Sequence, residues 1–398
     1  MNVKQKLFVL LSLDLLFLLF EINGLSISYG EADMLYNHHT FLSFIVKFST
    51  EFFGNNDFAL RIPMVLLHFG SVLLLYLISK EYIKQESYRL IFVLLFVFLP
   101  GVLSSAIVVN IAGLLIFGIL LYIYLSQKHY DVLANLLLLV FLGVDRGFGL
   151  LYLGLCLYFL FSKKDIYLFV YTLILYIFSI HIYGFNAHGM PTGHFLDIIG
   201  VYSAILTPVI FIYLIYVLYR RAISKEIDEI WYISSVAILL SFVLSFRQRV
   251  AVEYFAPYLI VALPLVAQTF ISSYRVRLKI YRKRYKIAFW VSLGFIFINL
   301  AVVLCNKELY LFLSNPKKHF VYDMNIAKEV AQQLKSKSVI CVATDSEMQL
   351  RLKFYGIGQC DKYILKELDL HSKQLPSVTI SYKNKPLYKA VVTKLNNR

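Results

Sequence analysis

Three groups of ionisable side chains interrupt the long apolar runs of this chain, and each holds residue types that can do chemistry. The first, residues 28–39, carries Glu31 and Asp33 and ends on His38 and His39. A carboxylate there could act as a general base, taking a proton from an acceptor hydroxyl or amine. The same carboxylates would serve equally to cap a helix or to pair with Arg61. Arg61 and Asp57 stand at the entry to the next apolar run and read as residues that orient this loop. The second group is the turn Val144-Asp145-Arg146-Gly147. Its guanidinium could fork onto a phosphate, be held by Asp145, or snorkel at a membrane interface. The third is Phe246-Arg247-Gln248-Arg249, followed by Glu253 and Tyr254. Two more guanidinium groups make a site for an anionic headgroup, with an interfacial anchor as the other reading. His188 and His194 could ligate a metal together with His38 or His39, but no tight ligand motif is present and surface histidines are the simpler reading. There is no phosphate-cradling glycine loop, no HExxH and no nucleophile elbow.

These groups need a scaffold, and the composition limits what it can be. Of 398 residues, 59% are apolar and only 16% charged, with a mean hydropathy of +0.69. A soluble globule of this size needs a more polar skin. The formal charge of +15 sits in short clusters between apolar runs, the pattern of a membrane protein and not of a nucleic-acid binder. Four cysteines in so long a chain are no disulfide scaffold. The 30 Tyr and 33 Phe read as core and interfacial residues before any sugar-stacking platform. The expected fold is therefore an all-α polytopic membrane protein with a small α/β domain at its C-terminus.

Apolar runs at 7–22, 62–79, 90–103, 111–125, 132–144, 148–161, 166–183, 201–219, 230–246, 255–271 and 287–305 give about eleven spans by the length criterion. The first run contains Asp14 and is followed by no small-residue cleavage site, so it is expected to stay as a membrane helix. Residues 41–53 read as a helix lying along the membrane surface, with Pro63 in the first turn of the second span. Alternate loops hold most of the Lys and Arg, including Lys80, Lys84, Lys163, Arg221 and the dense run from Arg275 to Lys286. The positive-inside rule then puts the N-terminus in the cytoplasm and the C-terminus outside it. Residues 1–305 form the membrane domain and 306–398 an extracytoplasmic α/β domain. Within the latter, 323–335 and 347–355 read as helices, 339–343 as a buried strand, and 378–382 with 388–394 as a hairpin. Cys341 and Cys360 lie on the oxidising side, where a disulfide or two unpaired core thiols are both consistent.

Gly30-Glu31-Ala32, an apolar helix, and then Phe53-Gly54-Asn55-Asn56-Asp57-Phe58-Ala59-Leu60-Arg61-Ile62-Pro63 form a recognisable order. It resembles the multi-spanning glycosyltransferases of the GT-C superfamily, in particular the bacterial aminoarabinose transferase and dolichyl-phosphate-mannose protein mannosyltransferase-like group. That group has an acidic Asp-Glu-Ala box in its first outer loop and an FG…ALR.P sequence entering its second span. Leu142-Gly143-Val144-Asp145-Arg146-Gly147 stands where the group has a Lys-Gly turn. Arg249 through Tyr254, with Pro257 and Pro264, resembles its R…Y..P…P segment. The chain departs from the pattern at Gly30 and Asn110, where the group has acids; Glu31 is kept, and Asp33 stands two residues on.

The resemblance implies an inner-membrane glycosyltransferase that moves a sugar from a polyprenyl-phosphate donor to an envelope lipid, glycan or protein at the outer face. Glu31 or Asp33 would activate the acceptor. Arg146, Arg247, Arg249 and Tyr254 would bind the donor phosphate, and Arg61 and Asp57 would orient the loop. Membrane lipids are the other expected partners, and nucleic acid is not one. No cofactor is indicated, and a divalent metal stays open. Gly30 and Asn110 favour a second reading, a non-catalytic membrane protein that handles lipid or scaffolds an envelope complex.

Overall fold

The structure is a computed structural model that describes residues 3–184, 193–370, 372 and 374–394. In chain order the helices are α1 (Val3–Gly24), α2 (Tyr29–Asn37), α3 (Phe41–Phe53), α4 (Asp57–Tyr82), α5 (Glu86–Val97), α6 (Pro100–Ile107) and α7 (Ile111–Gln127). There follow α8 (Asp131–Leu142), α9 (Gly149–Tyr158), α10 (Ile166–Tyr183), α11 (Phe195–Leu206), α12 (Pro208–Ser224), α13 (Glu229–Ser245), α14 (Val252–Val261), α15 (Leu263–Val276) and α16 (Arg282–Leu304). The tail adds α17 (Ala327–Ser336), α18 (Ser346–Phe354) and strands β1 (Tyr363–Glu367), β2 (Val378–Tyr382) and β3 (Lys385–Lys394). The chain divides into two compact units, one of Met1–Leu15 with Met64–Leu300 and the other of Leu16–Pro63 with Ala301–Arg398. The unit that holds the tail thus also takes in residues 16–63.

Among the described residues, five helical stretches are long and apolar enough to cross a membrane: Gln5–Gly24, Asp57–Tyr82, Ile166–Tyr183, Val252–Val276 and Lys279–Leu304. Two bent pairs raise the number to seven if each is one span, which is compatible with a multi-pass membrane protein but short of eleven continuous spans. The expected span 90–103 breaks between α5 and α6 with a 60° bend, and 201–219 breaks between α11 and α12 with a 106° bend. Pro100 and Pro208 explain both, because a residue before proline avoids the helical region. Leu99 is extended, and Thr207 takes a left-handed φ of 71°. The runs at 132–144 and 148–161 yield α8 of 12 residues and α9 of 10, the latter continued by a π turn. Helices that short reach only about 18 Å and 15 Å, against about 30 Å of hydrocarbon.

In the helical unit, small residues let elements approach closely, as membrane helices favour. A Cβ on Gly154 of α9 would lie 2.8 Å from the Ile233 Cα of α13. Within α1 and α4, Asp14 and His68 form a pair at 2.8 Å with side chains 1% and 2% exposed. The acid that stood out in the first apolar run thus has an imidazole partner.

In the second unit, α3 spans the residues expected of a surface helix. It buries Leu42, Ser43, Val46, Ser49 and Thr50 and exposes Phe44, Phe48 and Phe52 along one face. An aromatic row of that kind suits the interfacial layer of a bilayer. Helix α4 starts at Asp57, so Pro63 sits one turn deeper than expected. Proline lacks the N–H that would bond the carbonyl four residues back. That carbonyl, on Ala59, instead accepts from Ser49 Oγ of α3 at 2.6 Å.

The tail folds as α17 and α18 against an antiparallel sheet of order β1-β3-β2. Its core includes Val330, Leu334, Leu352, Val378, Ile380 and Tyr388. The expected hairpin forms, with Lys383 and Asn384 at positive φ in its two-residue turn. The expected strand at 339–343 does not form a ladder. Its bonds go to two neighbours, bridging Cys341 to Gly358 and Ala343 to Ile364, so neither side extends into a strand. The predicted helix 323–335 begins later, at Ala327, after a tight turn over Tyr322–Asn325. Cys341 and Cys360 are joined as a disulfide.

Candidate active site

Helix α2 is positioned by its own first turn. Ser28 is the N-cap, its Oγ accepting from the Glu31 N–H at 3.2 Å, and Glu31 Oε2 accepts from the Ser28 N–H at 2.9 Å in a reciprocal capping box. The Ser28 hydroxyl also donates to Glu31 Oε2. Arg61, at 0% exposure, reaches the same carboxylate: Nη2 donates to Oε2 at 3.0 Å and Nε to Oε1 at 3.3 Å. Its remaining donors go to the carbonyls of Leu25 and Ser26 at 3.1 and 2.9 Å. Buried charges persist only when paired and hydrogen-bonded in this way. Glu31, 1% exposed and receiving these four bonds, is committed to holding the loop.

Asp33 lies on the same helix two residues later, with its side chain 28% exposed. It accepts from Asn37 Nδ2 at 2.7 Å and sits 3.0 Å from His38 Nε2. These two hydrogen bonds hold its carboxyl below the ordinary aspartate value, so the group stays ionised and in reach of water. Asp57 opens α4, where an acid favours the helix dipole. It is 4% exposed, accepts from the Tyr355 hydroxyl at 2.6 Å and pairs with Lys328 Nζ at 2.8 Å. The Tyr355 oxygen accepts in turn from the Ile27 N–H at 2.9 Å. Burial and the Asp57 charge push the Tyr355 hydroxyl well above its ordinary range, so it remains a donor.

The basic candidates belong to the helical unit. In the turn before α9, Asp145 caps a short 3-10 segment by accepting from the Gly147 N–H at 2.7 Å. Burial pushes its carboxyl above the ordinary value, with the Gly147 N–H and the Arg146 charge pulling the other way. Arg146 points outward and lies 4.4 Å over the Tyr254 ring of α14. The contact depends on Gly147: a Cβ there would fall 2.7 Å from Leu115 and 3.0 Å from Tyr254. The Tyr258 hydroxyl fixes the turn by donating to the Gly147 carbonyl at 2.6 Å. Arg247 and Arg249 are exposed on the loop that leads into α14. That loop borders α11, since the His194 N–H donates to the Ser245 carbonyl at 2.9 Å.

The structure therefore brings Arg146 together with Tyr254, and Glu31 together with Arg61, while Glu31 and Asp33 have different environments. His194 pairs with Asp197 at 3.0 Å, and His188 lies outside the described residues. Among the described residues no three His, Cys, Asp or Glu side chains gather as a metal site. Tyr355 and Lys328 escaped sequence reasoning because they come from the tail, 298 and 271 positions from Asp57, with no motif to link them. His38 was seen only as a loose metal ligand; its five-residue spacing from Asp33 was the available signal. No family model matches the chain, and no curated protein matches it well enough to count as a relative.

Proposed function

We propose that this chain is a multi-pass inner-membrane glycosyltransferase, transferring a sugar from a polyprenyl phosphate to an envelope acceptor at the outer membrane face. The observation that carries the reading is Asp33: an ionised, accessible carboxylate beside an imidazole, on a helix whose other acid is locked by Arg61. Asp33 accepts the proton from the acceptor hydroxyl or amine as the new glycosidic bond forms. His38 orients it. The acceptor attacks the anomeric carbon, the bond to the phosphate oxygen breaks, and polyprenyl phosphate leaves with the electron pair. One displacement inverts the anomeric centre. In this reading the donor phosphate falls to Arg146, Arg247, Arg249 and Tyr254, whose positive charge offsets the charge that develops on the leaving group. Arg61, Glu31 and Asp57 fix the loop.

The test is steady-state transfer by the reconstituted full chain. Asp33→Asn should lower kcat by about 10²–10⁴-fold, while Arg249→Gln should raise the KM for the donor. Wild-type turnover in Asp33→Asn would remove the base. A second reading, a non-catalytic envelope scaffold, is favoured by Gly30 and by Asn110. The latter serves as the N-cap of α7, accepting from the Gly113 N–H at 3.3 Å. Under that reading Asp33→Asn would fully rescue a strain that lacks the protein, whereas the transferase reading predicts no rescue.

A further inference from the structure

Between α16 and the helices α5, α12 and α15, all of the helical unit, lies a cavity of about 570 Å³. That is a volume in which proteins hold small ligands. Helix α16 is sparsely packed there: of its 23 residues only Ile296 is buried. The walls are apolar stripes at helical spacing, Tyr88, Phe92 and Phe96 on α5, and Phe270 and Tyr274 on α15 facing Phe289 on α16. The stripe on α5 runs for two turns, about 12 Å, and that on α15 for one turn, about 6 Å.

One mouth differs from the rest. Arg275 lies 5.4 Å over the Tyr88 ring and Arg282 lies 5.4 Å over that of Tyr274, which ties the tyrosine-bearing ends of α5, α15 and α16 together. Arg284 and Lys286 line the cavity at this end. Arg275 and Arg282 have partners, in the Gln85 side chain and in backbone carbonyls. The side chains of Arg284 and Lys286 have neither hydrogen bond nor ion pair among the described residues. No Asp or Glu occurs between Glu253 and Glu308, so nothing local in the sequence offsets them.

We infer that this groove binds an acidic phospholipid, one acyl chain along the aromatic stripes and the phosphate against Arg284 and Lys286. An apolar gap within a bilayer fills with hydrocarbon, and the uncompensated cations at its mouth select a headgroup of net negative charge. The inference is independent of the transferase reading and rests on these helices lying in a bilayer. In that reading the donor phosphate is held by other residues, so this lipid is a resident and not the substrate.

The test is native mass spectrometry of the full chain in detergent, titrated with phosphatidylglycerol, with phosphatidylcholine of the same chains, and with polyprenyl phosphate. The wild type should retain one phosphatidylglycerol, more weakly at high salt than at low salt. Arg284→Gln with Lys286→Gln should weaken it by about 30-fold, the effect of two juxtamembrane cations. Ala267→Trp fills the groove, keeps both cations, and should abolish the same bound lipid. Equal binding of phosphatidylcholine, preference for polyprenyl phosphate, or a wild-type affinity indifferent to salt would each overturn the proposal. The last of these needs no variant to fold.

Discussion

At Asp33, the hydrogen bonds from Asn37 and His38 keep the carboxyl below its ordinary value. A base depressed in this way works above its own pKa and fails as pH falls through it, so the acid limb of transfer lies below the usual aspartate range. Asn37→Ala removes the largest of the lowering contacts and should move that limb to higher pH; a pH–rate profile with an unmoved limb would detach Asp33 from the reaction. Gly30 offers a complementary change. A Cβ there meets nothing within 4 Å, and the position lies in the first turn of α2. Gly30→Asp should therefore stabilise the helix by about 0.5–1 kcal/mol in thermal unfolding. Under the proposed transfer it should also raise turnover, by placing a second acid one turn before Asp33. The acidic loop was legible from residue types alone. Which of its acids is accessible was not, because Arg61 must first be folded back across 30 positions to consume Glu31.

Elements show the same division between what a pattern reveals and what packing decides. Helices α3 and α10 match their expected bounds, since uninterrupted apolar or amphipathic runs leave little choice. The broken spans were written in Pro100 and Pro208, but hydrophobicity continues through both and hides the bends. The Arg61–Glu31 pair joins α4 to α2, and breaking it from one side leaves a buried charge. Arg61→Met should cost about 3–5 kcal/mol, and Arg61→Met with Glu31→Met should recover most of that. Hydrogen exchange at residues 25–33 reads this locally; equal protection in the single and double variants would contradict the pairing. Gly154→Ala should cost about 1–3 kcal/mol, because the obstacle is the Ile233 backbone and not a movable side-chain tip.

Over the whole molecule, composition was enough to expect a largely helical membrane protein with a small mixed tail. The joining of residues 16–63 to that tail was not legible. It rests on contacts such as Asp57 with Tyr355, which no local pattern encodes. The tail is also cross-linked: Cys341–Cys360 closes a separation of 19 residues, worth about 3 kcal/mol in the chain-entropy picture. Reductant should lower the unfolding midpoint of the tail, and Cys341→Ser with Cys360→Ser should lower it equally and abolish the reductant effect. The most direct measurement of the proposed function is the fate of the donor. The full chain in proteoliposomes is given a radiolabelled polyprenyl-phosphate sugar together with an envelope extract. Label should leave the donor, appear in an acceptor fraction, and leave polyprenyl phosphate behind in equal amount. A donor that stays intact with every acceptor fraction would contradict the proposed transfer.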